Sequence, residues 1–100
     1  METIMLACAG GMSSSLLVTR MKKAMVKRNL EYNIFATGVD AIPDDYRKSH
    51  PVVILIGPQV SYMLAKVRQE VDVPVEVIVS KNYGMMDGDK VLDQALKMMQ

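Results

Sequence analysis

The residues that can do chemistry are concentrated in one short stretch near the N-terminus. The chain's single cysteine, Cys8, ends an apolar run, and two glycines and three serines lie within the next seven residues. The run Thr3–Ala7 predicts a buried strand, and the serines predict that an amphipathic helix begins near Ser13–Ser15. Such a turn directs several backbone N–H groups and the positive end of a helix dipole at one point. A thiol there is favoured as thiolate and an anion is stabilised, so the stretch predicts a cysteine that carries a phosphoryl group.

The residues after the cysteine suit that chemistry. Gly10 and Gly11 let the backbone curl around an oxyanion, because glycine adopts positive φ without strain. The serines can donate hydroxyl groups to phosphate oxygens or cap the helix. A plainer interpretation is a buried cysteine beside a glycine-rich turn, because cysteine is frequently a small core residue.

Composition narrows the class of protein. The 100 residues predict a single domain, 1–100, and the 12 basic and 11 acidic residues give a net charge of +1. That balance gives no reason to expect nucleic acid or a charged membrane surface as partner. No apolar run approaches the roughly 20 residues of a membrane span, and no signal peptide is visible. One cysteine excludes an internal disulfide, a CxxC pair and a cysteine-rich zinc site, so we expect a cytoplasmic protein without metal or cofactor.

Strands and helices alternate along the chain. Further strands are predicted at Tyr32–Ala36, Val52–Ile56 and Val75–Val79, and further helices at Pro43–Lys48, Gln59–Val71 and after Gly88. Residues Ser80–Gly84 read as a loop. This order predicts an α/β fold, a flavodoxin-like doubly wound sheet of four parallel strands with helices on both faces.

In such a sheet, ligands bind beyond the carboxyl ends of the strands. That edge should gather Cys8, Gly38, residues 57–59 and residues 80–84. Gln59 and Tyr83 are therefore candidates for the rim of the site. Tyr62 is interpreted as half-buried packing, and His50 as a solvated loop residue at the opposite edge.

The loop also resembles that of the low-molecular-weight tyrosine phosphatases, Cys-x5-Arg-Ser/Thr. Here the sixth residue after Cys8 is Ser14, not arginine. A phosphatase uses that guanidinium to bind the transferring group, and an aspartic acid to protonate the leaving group. The nearby acidic pair, Asp44 and Asp45, lies in a weakly defined segment. A site with a thiolate and amides but no arginine can hold a phosphoryl group without hastening its hydrolysis, which suits a relay.

The whole chain resembles the sugar-specific IIB components of the bacterial phosphoenolpyruvate-dependent phosphotransferase system, lactose/cellobiose/chitobiose family. The family's Cys-x-x-Gly-Met-Ser-Ser/Thr-Ser-Leu-Leu pattern is matched in register from Cys8 to Leu17. Two further stretches match, residues 53–63 and residues 74–88. Two departures are Val79, where relatives often carry aspartate, and the small pair Ala9 and Gly10.

The resemblance implies a covalent relay and a phosphotransferase activity. Cys8 would accept a phosphoryl group from a phosphohistidine of EIIA and pass it to a disaccharide of the cellobiose, chitobiose or lactose class, bound by membrane EIIC during uptake. The protein would associate with the inner face of the membrane through EIIC. Met12 would contact a partner. Backbone amides would hold the phosphoryl oxygens in a phosphoryl-binding loop made of Ala9, Gly10, Gly11, Met12, Ser13, Ser14 and Ser15.

Two alternatives stay open from the sequence. One is an enzyme like the low-molecular-weight phosphatases or the arsenate reductases that uses the same thiolate. The absent arginine and the absent second thiol count against it. The other is a non-catalytic receiver or interaction module, which would need an acceptor aspartate where the strands end in Cys8 and Gly57.

Overall fold

A computed structural model describes residues 1–9 and 12–100, with the side chains of Met12 and Ser13 left out of the description. The four strands are β1 (Thr3–Cys8), β2 (Asn33–Gly38), β3 (Val53–Ile56) and β4 (Val75–Val77). All pair in parallel, in the order β2-β1-β3-β4. The predicted four-stranded parallel sheet is confirmed.

Five α-helices connect or follow these strands within the described residues. They are α1 (Met12–Lys27), α2 (Ile42–Ser49), α3 (Leu64–Glu70), α4 (Ser80–Gly84) and α5 (Gly88–Met98). Short 3-10 segments, Val39–Ala41 and Pro58–Met63, precede α2 and α3.

The chain order places helices on both faces of the sheet. The connection from β1 to β2 runs to one side of β1, while β2 to β3 crosses back over it, so right-handed crossovers put α1 and α2 on opposite faces. Alternate residues of β1 follow this division: Ile4 and Leu6 pack with α1 and α5, whereas Met5 and Ala7 pack with α2 and α3. Both faces of the sheet are therefore covered, which explains why β1 and β3 are continuously apolar.

Several predicted boundaries are wrong in detail. Helix α1 already begins at Met12, so Ser13, Ser14 and Ser15 lie in its first turn and do not precede it as caps. The predicted helix Gln59–Val71 is a 3-10 segment followed by α3, because Val60 leaves helical geometry at φ −119° and ψ 27°. The predicted loop Ser80–Gly84 is a one-turn helix, and β4 ends at Val77.

Helices α1 and α5 approach each other closely beside the site-bearing edge. A Cβ added at Gly88 would lie 2.4 Å from the carbonyl carbon of Arg20, so only glycine fits this contact. Arg28, the residue after α1, also pairs with Asp89 at 3.2 Å and with Asp93 at 2.6 Å, both in α5. Within the described ranges, no helix is both long enough and apolar enough to cross a membrane.

Candidate functional site

Cys8 lies at the carboxyl end of the central strand of the sheet. Its neighbours there are Gly38, its register partner on β2, and Gly57, whose N–H donates to the Ala7 carbonyl at 2.8 Å. A Cβ added at Gly57 would lie 3.0 Å from Cys8 Sγ. The sulfur is thus seated between strand ends at the switch point of the sheet, where this fold class binds ligands.

Cys8 is only 2% exposed, and among the described residues a tyrosine from the far end of the chain forms a side-chain hydrogen bond to it. The Tyr83 hydroxyl donates to Cys8 Sγ at 3.8 Å, and Tyr83 itself is 6% exposed. The sulfur therefore meets a hydrogen-bond donor and is not enclosed by aliphatic groups alone.

The pKa of the Tyr83 phenol is changed by its burial, by Cys8 and by two further side chains. Burial raises the pKa of Tyr83 above its ordinary value of 10.0, and the hydrogen bond to Cys8 and the charge of Cys8 raise it further. Gln59 and Ser14, as hydrogen-bonding neighbours of the phenol oxygen, act on this pKa in the opposite direction. Three elements thus meet at the Tyr83 phenol oxygen, which itself lies against the sulfur: the first turn of α1, the 3-10 segment after β3, and α4.

Helix α4 is held at both ends. The Val79 N–H donates to the Gln94 side-chain oxygen at 3.2 Å, and the Gln94 amide donates to the Val77 carbonyl at 2.9 Å. Beyond α4, the Arg20 guanidinium donates to the Met86 carbonyl at 3.1 Å, where Met86 has a positive φ of 51°. These contacts tie α4 to α5 and α1, and so fix Tyr83 against Cys8.

The residues predicted for the site fall in different places. Tyr83, Gln59 and Ser14 gather around Cys8, and Ser14 is 5% exposed. Ala9, the residue after Cys8, and Ser15, in the first turn of α1, are both exposed. The predicted roles of Gly10 and Gly11, and of the Met12 and Ser13 side chains, lie outside the described residues.

Two predictions made for residues outside the cluster can be compared with the structure. Tyr62 is 77% exposed, so its interpretation as half-buried packing is wrong: it lies in the 3-10 segment, whose core residue is Val60. His50 is exposed at the end of α2, before β3, and therefore at the amino edge of the sheet, opposite Cys8, as predicted.

The sequence did not indicate that the Tyr83 and Ser14 side chains meet beside Cys8. Serine in a helix start reads as a cap, and Tyr83 lies 75 residues from Cys8, so neither short-range pattern points to their meeting. The one available signal was topological, because residues 80–84 follow a strand and so return to the edge that carries Cys8.

Sequence comparisons find similar proteins over nearly the whole chain. Residues 3–94 match the sequence model of a family described as "PTS system, Lactose/Cellobiose specific IIB subunit". A Bacillus subtilis oligo-beta-mannoside-specific EIIB component is 45% identical over 99% of this chain and 97% of its own length. A Lactococcus lactis cellobiose-specific EIIB component is 42% identical over 98% and 96%.

A solved structure resembles the fold. The lactose-specific IIB domain from Streptococcus pneumoniae superposes with a TM-score of 0.84 over 99% of this chain and 98% of that chain, at 15% sequence identity. At that identity the likeness speaks for the fold alone, and it agrees with the flavodoxin-like arrangement of strands and helices described above.

Proposed function

This chain belongs to the lactose/cellobiose-specific IIB family of the phosphotransferase system, and from that premise we propose that Cys8 is its phosphoryl carrier. EIIB components are phosphotransferases of sugar transport, so the chain is a transferase that works with EIIA and EIIC proteins. The single observation that carries the proposal for Cys8 is its position. The only cysteine of the chain ends the central strand, beside the first turn of α1.

The proposed reaction consists of two displacements. In the first, Cys8 sulfur attacks the phosphorus of a phosphohistidine on EIIA. An S–P bond forms, the N–P bond breaks, and its electron pair stays on the imidazole nitrogen. In net terms the thiol proton ends on that imidazole. In the second, a sugar hydroxyl attacks the same phosphorus, the S–P bond breaks, and the hydroxyl proton balances the released thiolate.

The surroundings of Cys8 favour carriage over hydrolysis. The residue six positions after it, Ser14, is buried and contributes a hydroxyl where a phosphatase has a guanidinium. Arg20 lies nearby in sequence, but its guanidinium is engaged by the carbonyl groups of Met85 and Met86. We therefore assign the holding of phosphoryl oxygens to the backbone amides and hydroxyls of residues 9–15, with Gln59 at the rim.

The proposed acceptor is a disaccharide of the cellobiose, chitobiose or lactose class bound by membrane EIIC. The names of the relatives, which include oligo-beta-mannoside and cellobiose, support that class without selecting one sugar. We expect the protein to reach the membrane by binding EIIC at its cytoplasmic side.

Intact-protein mass spectrometry tests the carrier assignment. After incubation with phosphorylated EIIA, the wild-type chain should gain one phosphoryl mass, and Cys8→Ser should fail to pass a phosphoryl group to sugar. His50→Gln is the matched control, because His50 is the only histidine and so the other candidate carrier. That variant should be phosphorylated like the wild type. Normal sugar phosphorylation by Cys8→Ser would end the proposal.

A second assay separates the relay from the phosphatase-like alternative. The isolated protein should not turn over an aryl phosphate at a rate above that of Cys8→Ser, since no guanidinium from position 14 binds the transferring group. Steady turnover dependent on Cys8 would favour the enzyme of the phosphatase class instead.

A further inference from the structure

The hydrogen bond from Tyr83 to Cys8 places a polar hydroxyl in a buried position, where its removal from water costs free energy. A tyrosine hydroxyl removed from water needs an acceptor for its proton, and the acceptor here is a sulfur atom, which accepts weakly as a neutral thiol. The same sulfur as a thiolate is a far better acceptor, because hydrogen bonds to an ionised group are stronger. The contact therefore stabilises the anionic sulfur more than the neutral one.

The phenol is arranged as a donor toward the sulfur. Its pKa is raised, so it keeps its proton throughout the neutral range. Gln59 and Ser14 approach the same oxygen and favour negative charge on it, which polarises the O–H bond toward its acceptor. The phenol hydroxyl donates to Cys8 Sγ, with the oxygen 3.8 Å from the sulfur.

The Tyr83 ring is also held in place by residues that do not contact the phenol oxygen. Gln94 binds the backbone just before α4, and Arg20 binds the carbonyl groups just after it. A one-turn helix has little stability of its own, so these contacts are what keep Tyr83 in position.

We propose that Tyr83 is a catalytic hydrogen-bond donor of the relay, which holds Cys8 sulfur as a directed nucleophile for attack on the phosphohistidine. This inference rests on the proposed function of Cys8 and adds a residue to it. A thiol must ionise before it attacks phosphorus, so a hydrogen bond that favours the thiolate assists the acceptance step by supplying the nucleophile.

The variant that isolates this contact is Tyr83→Phe, which keeps the ring and removes the hydroxyl. With phosphorylated EIIA as the donor, kcat for phosphorylation of Cys8 should fall about tenfold, equivalent to about 1.4 kcal/mol. KM for the donor should stay unchanged, because Tyr83 is buried and contributes little to a docking surface. The matched control is Tyr62→Phe, which removes a hydroxyl from an exposed ring and should leave both constants as in the wild type.

A measurement that needs no phosphorylated EIIA separates this inference from the proposed function. The rate of alkylation of Cys8 by iodoacetamide should fall in Tyr83→Phe and stay constant in Tyr62→Phe, whether or not EIIA phosphorylates the protein. If wild-type protein accepts a phosphoryl group and Tyr83→Phe matches it in kcat and in alkylation, the inference is wrong and the carrier assignment stands. If wild-type protein accepts none, the carrier assignment itself fails.

A wild-type measurement keeps the test decisive if Tyr83→Phe does not fold. With isotope-labelled tyrosine, the NMR resonance of the Tyr83 hydroxyl-bearing carbon should shift when Cys8 is phosphorylated, and that of Tyr62 should not. An unchanged Tyr83 resonance on complete phosphorylation would overturn the inference.

Discussion

Replacing Gly88 by alanine should damage the packing that supports the site, and the structure sets the size of the effect. An added Cβ would lie 2.4 Å from the Arg20 carbonyl carbon, 2.6 Å from its oxygen and 2.7 Å from the Met21 nitrogen. These are backbone atoms of α1, so no side-chain rotation relieves the overlap. Ordinary contacts begin near 3.5 Å, so α1 and α5 must separate by about 1 Å.

Overpacking of this kind costs about 1–3 kcal/mol, and we expect about 3 kcal/mol because the opposing atoms belong to a helix backbone. For a domain of this size each kcal/mol lowers Tm by about 4–8 °C, so the midpoint should fall by about 12–24 °C. Urea unfolding followed by circular dichroism measures the free energy directly.

Gly84→Ala is the matched control for this substitution. A Cβ at Gly84, the last residue of α4, would meet no atom within 4 Å, so this variant should be neutral or more stable by about 0.5 kcal/mol. A loss of less than about 0.5 kcal/mol in Gly88→Ala would refute the reasoning, because a surface substitution costs as little.

Two further predictions concern the surroundings of Cys8. Gly57→Ala would place a methyl group 3.0 Å from Cys8 Sγ and should slow phosphoryl acceptance about tenfold, because the sulfur is displaced. Gly38→Ala is the control at the same sheet edge, since its added methyl group would meet no atom within 4 Å and should not slow the reaction. Equal rates for the two variants in a transfer assay would contradict this prediction. Tyr83 has a raised pKa in the folded state, so its contribution to the unfolding free energy is fully present below pH 10 and is lost as the pH rises through the folded-state value. The stability advantage of wild type over Tyr83→Phe should therefore shrink in alkaline urea titrations, and a constant difference would be the opposite result.

The sheet was predictable from the sequence because its strands are buried on both faces. A strand such as Val53–Ile56 is apolar without interruption, which is typical of strands buried on both faces of a parallel sheet. Topology then placed Cys8, Gly57 and Tyr83 at one edge before any coordinate was known.

Local helix geometry was not predictable in the same way. Apolar residues recur at similar intervals in 3-10 and α-helices, so Val60 and Val67 read as one continuous helix. Helix α4 is only one turn long and is held by Gln94 and Arg20, contacts that come from distant parts of the chain. The meeting of Tyr83 with Cys8 depends on those same contacts, so it too required the structure.

The interior position of β1 in the sheet limits the directions from which another molecule can reach Cys8 Sγ. Strands flank it on both sides and helices cover both faces, so the carboxyl edge offers the single line of approach along the described chain. In the proposed relay, the phosphoryl donor and the sugar-loaded acceptor would therefore approach Cys8 from this same edge, one after the other. The turnover of such a phosphoryl carrier is limited by how quickly the first partner dissociates. This favours weak complexes with fast dissociation over tight ones.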